Sequence, residues 1–347
     1  MLLEEFLINK DKTIIEAIRQ LDSVTKKILF VIDDNNKLIG SLTDGDIRRF
    51  ILKKGSLDGK VDEACFKKTL FIKNSFSEQD ILKLFNKDIL AIPVINENKE
   101  ILEIIFNDKN KIFNKNLNVP LVIMAGGVGS RLEPITKIIP KALLPINDKS
   151  IIEIIIGNFL KYGVKEYYIS INYKSSLIKS YFSEINLPCE IKYIEENEPL
   201  GTIGCLYMIK NKIKSEYFIL TNCDIIINSD YYDIVKFHVD NNNLLTVVAC
   251  IESYKIPYGV CNIKEDGELV NIEEKPEINF LFNTGMYVIN NEVLQEIPEN
   301  KFFHITDLIN ILKLKNKKVS IYPISKNSWI DIGEWSKYSE TLNRFKI

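Results

Sequence analysis

The chain has 347 residues, 46% of them hydrophobic, with 45 basic and 47 acidic side chains and a formal net charge of −2. That length suits two domains with sizeable cores. The charge balance excludes a global attraction to nucleic acid or an anionic membrane, and no apolar run approaches the roughly 20 residues of a membrane helix. The first segment, MLLEEFLINKDK, carries acids early and lacks a long apolar core. No signal peptide is visible, and a cytoplasmic location is expected. The six cysteines, at positions 65, 189, 205, 223, 250 and 261, form no CxxC pair, and two histidines supply a zinc site poorly. Six reduced thiols are expected.

The first 115 residues contain an internal repeat. ILFVIDDNNKLIG, residues 28–40, aligns with LAIPVINENKEIL, residues 90–102, at an offset of 62. Each copy reads as an apolar strand, an Asn/Asp-rich turn and a second strand. A helical segment precedes each, TIIEAIRQL from Thr13 and SFSEQDILKLF from Ser75. Two copies closing one core read as a pseudo-symmetric module. In LIGSLTDGDIRRF, residues 38–50, Gly40, Thr43 and Asp46 stand at three-residue spacing before a helix. On these residues this half resembles a tandem CBS module, which implies an α+β fold. The resemblance assigns Thr43 and Asp46 to the phosphate and ribose of a regulatory adenine nucleotide. A hydroxyl and amides at a helix start can take phosphate, and a carboxylate can take ribose hydroxyls. The second copy keeps Asp108 but has Ile105 and Leu102 where the threonine and glycine would stand. A module that is structural or dimerising and binds nothing is the alternative. Paired CBS modules imply a homo-oligomer whose size no sequence feature sets.

Residues 112–119, IFNKNLNV, are polar and turn-prone and read as the linker, which divides the chain into 1–115 and 119–347. From Pro120 onward apolar strands (PLVIM, EYYISIN, YFILT, LLTVVACI) alternate with amphipathic helices. This alternation predicts an α/β, Rossmann-like domain with a mixed, mostly parallel sheet. Between the first two strands, residues 150–163 predict a helix capped by Ser150, with Glu153 completing a capping box and Gly163 ending it.

The stretch VIMAGGVGSRLEPITKIIPKALLPI, residues 122–146, follows the first of these strands. A dinucleotide loop would carry a third glycine where Leu132 stands, and a Walker loop would end in GK[ST]. What remains is a loop whose glycines admit backbone amides to an anion, with Arg131 able to fork onto phosphate oxygens and Lys141 as a point charge. The stretch matches the signature AGGxGxRLxPxTxxxPKxLxPI, and the chain from here resembles sugar-1-phosphate nucleotidyltransferases. The resemblance implies that Ala125, Gly126, Gly127 and Gly129 wrap a nucleoside triphosphate. It also gives Arg131 the departing pyrophosphate and Lys141 the phosphates.

Transfer of a nucleotidyl group needs positioning and charge neutralisation more than covalent help. Mg²⁺ is the expected cofactor, held by one or two carboxylates. YFILTNCD ends an apolar strand at Asp224, although Cys223 stands where the family has glycine, and SWIDIGEW carries Asp331. These two are the expected metal ligands. IEEKP matches the family's Glu-Lys-Pro, so the resemblance assigns Glu274 to sugar hydroxyls and Lys275, as a catalytic residue, to the sugar phosphate and the charge around the α-phosphorus. Gly259 in PYGV, and Asn283 and Gly285 in FNTGMYVI, occupy sugar-side positions. EPLGTIG places Pro199, Gly201 and Thr202 on the base side, with Ile203 for the usual alanine.

Glu196, with Glu195 as the alternative alignment, stands where thymidylyl-type relatives have a base-facing glutamine. A carboxylate there can accept from guanine's ring N–H and amino group and repels a uracil or thymine carbonyl. GTP is therefore the expected nucleotide. The CBS-plus-transferase order resembles guanylyltransferases that act on glucosamine-1-phosphate in legionaminic acid-type glycan synthesis, and the sugar expectation rests on that alone. The chain ends soon after Asp331, without the β-helix of the bifunctional N-acetylglucosamine-1-phosphate enzymes. Uridylyl-, thymidylyl-, cytidylyl- and mannose-1-phosphate guanylyltransferases remain alternatives, as does a nucleotide sensor with a relict transferase half.

Overall fold

The computed structural model describes residues 3–24, 26–73, 84–85, 89–107 and 116–344. The chain forms two compact units. One comprises residues 1–112, 251–281 and 323–326; the other comprises 113–250, 282–322 and 327–347. The packing units therefore cut across the two sequence halves, because residues 251–281 and 323–326 count with the N-terminal unit.

In the N-terminal unit the helix Ile14–Ser23 begins at a capping box, Thr13 with Glu16. Strand Leu7–Asn9 pairs in parallel with Ile28–Ile32, which turns back into Leu38–Thr43. The second copy repeats the hairpin as Ala91–Ile95 and Ile101–Phe106, with Ile72–Lys73 as the parallel partner. Phe30 and Ile28 pack against Ala91, Ile95 and Ile101, so the two copies close one core as the repeat predicts.

The register corrects the repeat offset. Strand starts 28 and 91, the left-handed turn residues Asn36 and Lys99, and the bulges at Val31/Ile32 and Val94/Ile95 all differ by 63, not 62. A one-residue slip is easy in strands of period two with apolar residues on both faces. At the correct offset Gly40, Thr43 and Asp46 correspond to Glu103, Phe106 and Lys109. The second copy thus carries none of the three residues. Asp108, read above as the counterpart of Asp46, and most of the helix expected from Ser75, lie outside the described residues.

The larger unit is built on a seven-stranded sheet. Its order is Glu190–Glu195, Glu166–Ile171, Leu121–Met124, Tyr217–Asn222, Glu277–Asn290, Leu245–Lys255 and Val319–Ile324. The first four strands are mutually parallel and the Tyr217–Asn222 to Glu277–Asn290 pair is antiparallel. This is the mixed, mostly parallel sheet expected. Phe218, Leu220, Val122, Tyr168 and Ile289 fill its core on one side, with Ile203, Leu206 and Leu308. Helix Ile151–Leu160 is capped by Ser150, whose hydroxyl accepts from Glu153 N. The reciprocal half of the expected capping box is missing, because the Glu153 carboxylate takes the Tyr181 hydroxyl at 2.8 Å instead. All six cysteines are free thiols. Among the described residues no helix is long and apolar enough to cross a membrane.

In chain order the four parallel strands lie 3-2-1-4, so the direction of winding reverses between Leu121–Met124 and Tyr217–Asn222. In open α/β sheets the crevice beyond the carboxyl ends of two such strands is where ligands bind.

Candidate active site

Both segments leaving that crevice carry candidate residues. Asn222 pairs with Met124, and Cys223 N donates to Met124 O at 3.2 Å, so the turn to Asp224 and the glycine loop start side by side. Ala125 is buried and its N–H donates to Ser170 O at 2.9 Å, which fixes where the loop departs. Gly127 is exposed and a Cβ there would meet nothing within 4 Å, leaving its backbone open to a ligand. Buried Thr136 closes the loop, its hydroxyl donating to Gly129 O at 2.9 Å. Arg131 follows on a 3-10 turn with its side chain 76% exposed, and Glu334 lies 3.9 Å from it. An exposed guanidinium beside an open loop can meet an anion without first leaving a buried partner.

The strongest cluster joins Lys141, Asp224 and Asp331. Lys141 Nζ donates to Asp224 Oδ2 at 2.5 Å, with the lysine side chain only 12% exposed. A short antiparallel pair, Ile225–Ile227 with Trp329–Asp331, sets Ile225 opposite Asp331, and Ile332 N donates to Asp224 O at 2.8 Å. Asp331 Oδ1 accepts from Gly333 N at 2.8 Å. A Cβ on Gly333 would lie 2.8 Å from Asp331 Oδ1 and 3.6 Å from Lys141 Nζ, so the three charged groups share one neighbourhood. Segments far apart in sequence thus supply two carboxylates and one cation. Each carboxylate has an oxygen with no partner among the described residues, a donor set that suits Mg²⁺, which takes one or two carboxylates and fills its shell with water and phosphate oxygens.

Cys223, which departs from the family pattern, is buried, and desolvation pushes its thiol up to about 12. It stays protonated and packs, leaving Asp224 in place. Gly285 lies on the neighbouring strand with φ 90°, and a Cβ there would come within 2.5 Å of Asn222 Nδ2, so only glycine fits. Asn283 Oδ1 accepts from Gly285 N at 3.0 Å and its amide donates to the Tyr287 hydroxyl at 2.6 Å.

Glu196 has a task that sequence reasoning missed. Its carboxylate is 9% exposed, with Oε1 taking the Ser170 hydroxyl and Oε2 the Leu200 N–H at 3.1 Å. A Cβ on Gly126 would lie 3.1 Å from Oε1. The residue therefore ties the glycine loop to the segment 199–202. The buried Cys205 thiol hydrogen-bonds to the same carboxylate, so three of its roughly four acceptor positions are already claimed. The segment itself is pinned by Phe303 N to Leu200 O at 2.9 Å and by Ile305 N to the exposed Thr202 Oγ1 at 2.9 Å; Pro199 is exposed. Ile203, in place of alanine, is buried in the sheet core.

Gly259, Glu274 and Lys275 belong to the other unit, on a two-stranded ribbon, Gly259–Ile263 with Leu269–Glu274. The register pairs Gly259 with Glu274, and Lys275 Nζ is 3.9 Å from Glu274 Oε1. Lys275 holds φ 50°, a left-handed conformation rare for a residue with a side chain, and its N–H donates to Tyr258 O at 3.3 Å.

The expected effector residues are engaged with each other. Thr43 caps helix Asp44–Lys54, its N–H and hydroxyl donating to Asp46 Oδ2 at 2.9 and 2.6 Å. Asp46 Oδ1 pairs with Arg49, and the aspartate is 7% exposed. The carboxylate that the CBS resemblance assigns to ribose thus already has three donors. A helix-capping role accounts for both side chains.

Comparison with known proteins gives two family matches. Residues 121–346 match the nucleotidyl transferase family and residues 4–53 match the CBS domain. The D-glycero-alpha-D-manno-heptose 1-phosphate guanylyltransferase of Campylobacter jejuni is 31% identical over 227 residues, covering 64% of this chain and 97% of that protein. The mannose-1-phosphate guanylyltransferase catalytic subunit beta of Dictyostelium discoideum is 31% identical over 182 residues, about half of each chain (51%). Among solved structures, HddC from Yersinia pseudotuberculosis superposes with a TM-score of 0.53 at 26% identity, covering 66% of this chain and 100% of that one. The same protein complexed with GMP-PN matches at a TM-score of 0.52 and 25% identity.

Proposed function

The chain belongs to the nucleotidyl transferase family, and from that premise we propose that it joins GTP and glucosamine-1-phosphate into a GDP-sugar, releasing pyrophosphate, for legionaminic acid-type surface glycans. At the coarser level it is an enzyme, a sugar-1-phosphate nucleotidyltransferase with an N-terminal CBS domain. The observation that carries the reading is the convergence of Lys141, Asp224 and Asp331 at the carboxyl edge of the sheet, beside the glycine loop.

In the proposed reaction an oxygen of the sugar phosphate forms a bond to the α-phosphorus of GTP, and the bond to pyrophosphate breaks. Amides of the loop 125–129 and the exposed Arg131 guanidinium hold the departing pyrophosphate, so charge that develops there meets donors already in place. Lys141, held by Asp224, neutralises the phosphates. Asp224 and Asp331 would hold Mg²⁺, which supplies charge neutralisation between the phosphate groups. Lys275 binds the sugar phosphate and Glu274 the sugar hydroxyls, with Gly259, Asn283 and Gly285 as backbone and amide contacts.

Guanine is supported by the guanylyltransferase names of the relatives. The glucosamine assignment rests on the order of the CBS domain and the transferase. A heptose 1-phosphate is the second reading, favoured by the match across 97% of the Campylobacter protein. The test is pyrophosphate release by the full chain with Mg²⁺ and a panel of triphosphates against glucosamine-, heptose-, mannose- and glucose-1-phosphate. GTP with glucosamine-1-phosphate should lead by about tenfold in kcat/KM. A lead for UTP removes the guanine reading, a lead for the heptose replaces the sugar, and no release with any pair removes the catalytic reading.

A further inference from the structure

We infer that the N-terminal module orients the ribbon that presents Lys275, with Arg19 and Glu277 as positioning residues for the sugar-phosphate end of the reaction. The inference rests on the role of Lys275 proposed above and adds a task for a domain whose effector residues are already engaged.

Residues 251–281 pack as part of the N-terminal unit, and both roots of the ribbon enter that unit's core. Ile251, 7% exposed, joins the cluster of Ile14, Leu21, Ile47 and Ile51, and Leu281 packs against the same cluster. Beyond these roots the ribbon has little cover, since every residue from 261 to 275 is exposed. A two-stranded hairpin is at best marginally stable alone, so its direction depends on its attachments. From Ile251 to Gly259 an extended chain covers roughly 26 Å, far enough for a small tilt at the root to displace the tip.

A second attachment lies close to the working end. Arg19, on the helix Ile14–Ser23, forms an ion pair with Glu277, two residues beyond Lys275. Between them stands Pro276, whose carbonyl accepts from Ile256 N at 2.9 Å, while Lys275 N donates to Tyr258 O at 3.3 Å. These bonds and the ion pair bracket Lys275, whose left-handed φ of 50° persists only if its surroundings fix it. On the same unit Arg48 Nε donates to Pro323 O at 3.3 Å, and Lys326 pairs at 2.6 Å with Glu252, next to the ribbon root. The helices that carry Arg19 and Arg48 thus reach the ribbon both at its root and beside its lysine.

Arg19 is 56% exposed and Glu277 32%, so breaking the pair should barely alter stability. Its effect should fall on orientation. The test compares wild type with Arg19→Ala, Glu277→Ala and the exchanged pair Arg19→Glu/Glu277→Arg, in the full chain. Each alanine variant should raise KM for the sugar-1-phosphate by about fivefold, leave KM for the triphosphate unchanged and keep Tm, while the exchanged pair restores KM. Amide exchange over residues 268–280 should accelerate in the alanine variants and return in the exchanged pair. Unchanged sugar KM and unchanged exchange in both alanine variants overturn the inference, as does an equal rise in both KM values. Lys275→Ala separates the two readings. If it leaves sugar KM unaltered, the assigned role of Lys275 fails, while the exchange measurement still decides whether Arg19 holds the ribbon.

Discussion

At the carboxyl edge of the sheet, Lys141 is 12% exposed and bonded to Asp224, and the loop beside it is closed by buried Thr136. On the ribbon, Glu274 and Lys275 are both exposed, with their charged ends 3.9 Å apart. Both regions carry residues assigned to phosphate, yet one sets them by packing and the other by attachment at a distance. Packed charges need no reorganisation when a phosphate arrives, and that suits the step where charge develops. An exposed lysine on an arm suits recognition of a substrate that must enter and leave. The division predicts that damage at the first region falls on kcat and damage at the second on the sugar's KM.

The largest effect should come from Asp224→Asn, which removes a carboxylate assigned to metal and the partner of Lys141. Turnover in the pyrophosphate assay should fall about a hundredfold or more, roughly 2.7 kcal/mol of barrier, with little change in sugar KM. A loss confined to sugar KM would erase the contrast between the regions. Next, Lys275→Ala should raise sugar KM about tenfold while the KM for GTP holds in steady-state assays. A fall in kcat alone would move Lys275 to the packed side of the comparison.

Glu196→Gln is smaller and sharper. Its neighbours Ser170 and Leu200 both donate, so an amide nitrogen would face a donor on one side. The ratio of kcat/KM for GTP over UTP should fall by up to about tenfold. An unchanged ratio would leave Glu196 as a tie between the glycine loop and residues 199–202. The smallest effect is expected at Thr43→Val, which touches neither region. It removes a helix cap, at a cost of about 1 kcal/mol seen as a lower Tm, with catalysis unchanged. If AMP, ATP or GMP raises the wild-type Tm and not that of the variant, Thr43 binds an effector as well as capping.

Much of the larger unit was legible because its signals are local. The strands at 121–124, 166–171 and 217–222 are short apolar runs, and the glycine loop carries its glycines, Arg131 and Lys141 within one stretch. Strand ends also pointed to Asp224 and Asp331. The pairing of Ile225 with Asp331, which unites them, is a long-range contact that no local pattern encodes. The same holds for Ser170 and Leu200, which claim Glu196, and for Arg19, which meets Glu277 across most of the chain. The repeat was visible but its register was not. Strands such as Ala91–Ile95, buried at every position, carry no alternation to fix the alignment, and the turn residues Asn36 and Lys99 mark it only once their φ angles are known.

The central claim is that Lys141, Asp224 and Asp331 act as one site, and a double-mutant cycle in pyrophosphate release tests it most directly. With GTP and glucosamine-1-phosphate, Asp224→Asn and Asp331→Asn should each cost about a hundredfold or more, and the double variant little more than the worse single one, as for residues that work as a unit. Losses that multiply through to about ten-thousandfold would show two independent contributions and contradict the shared site.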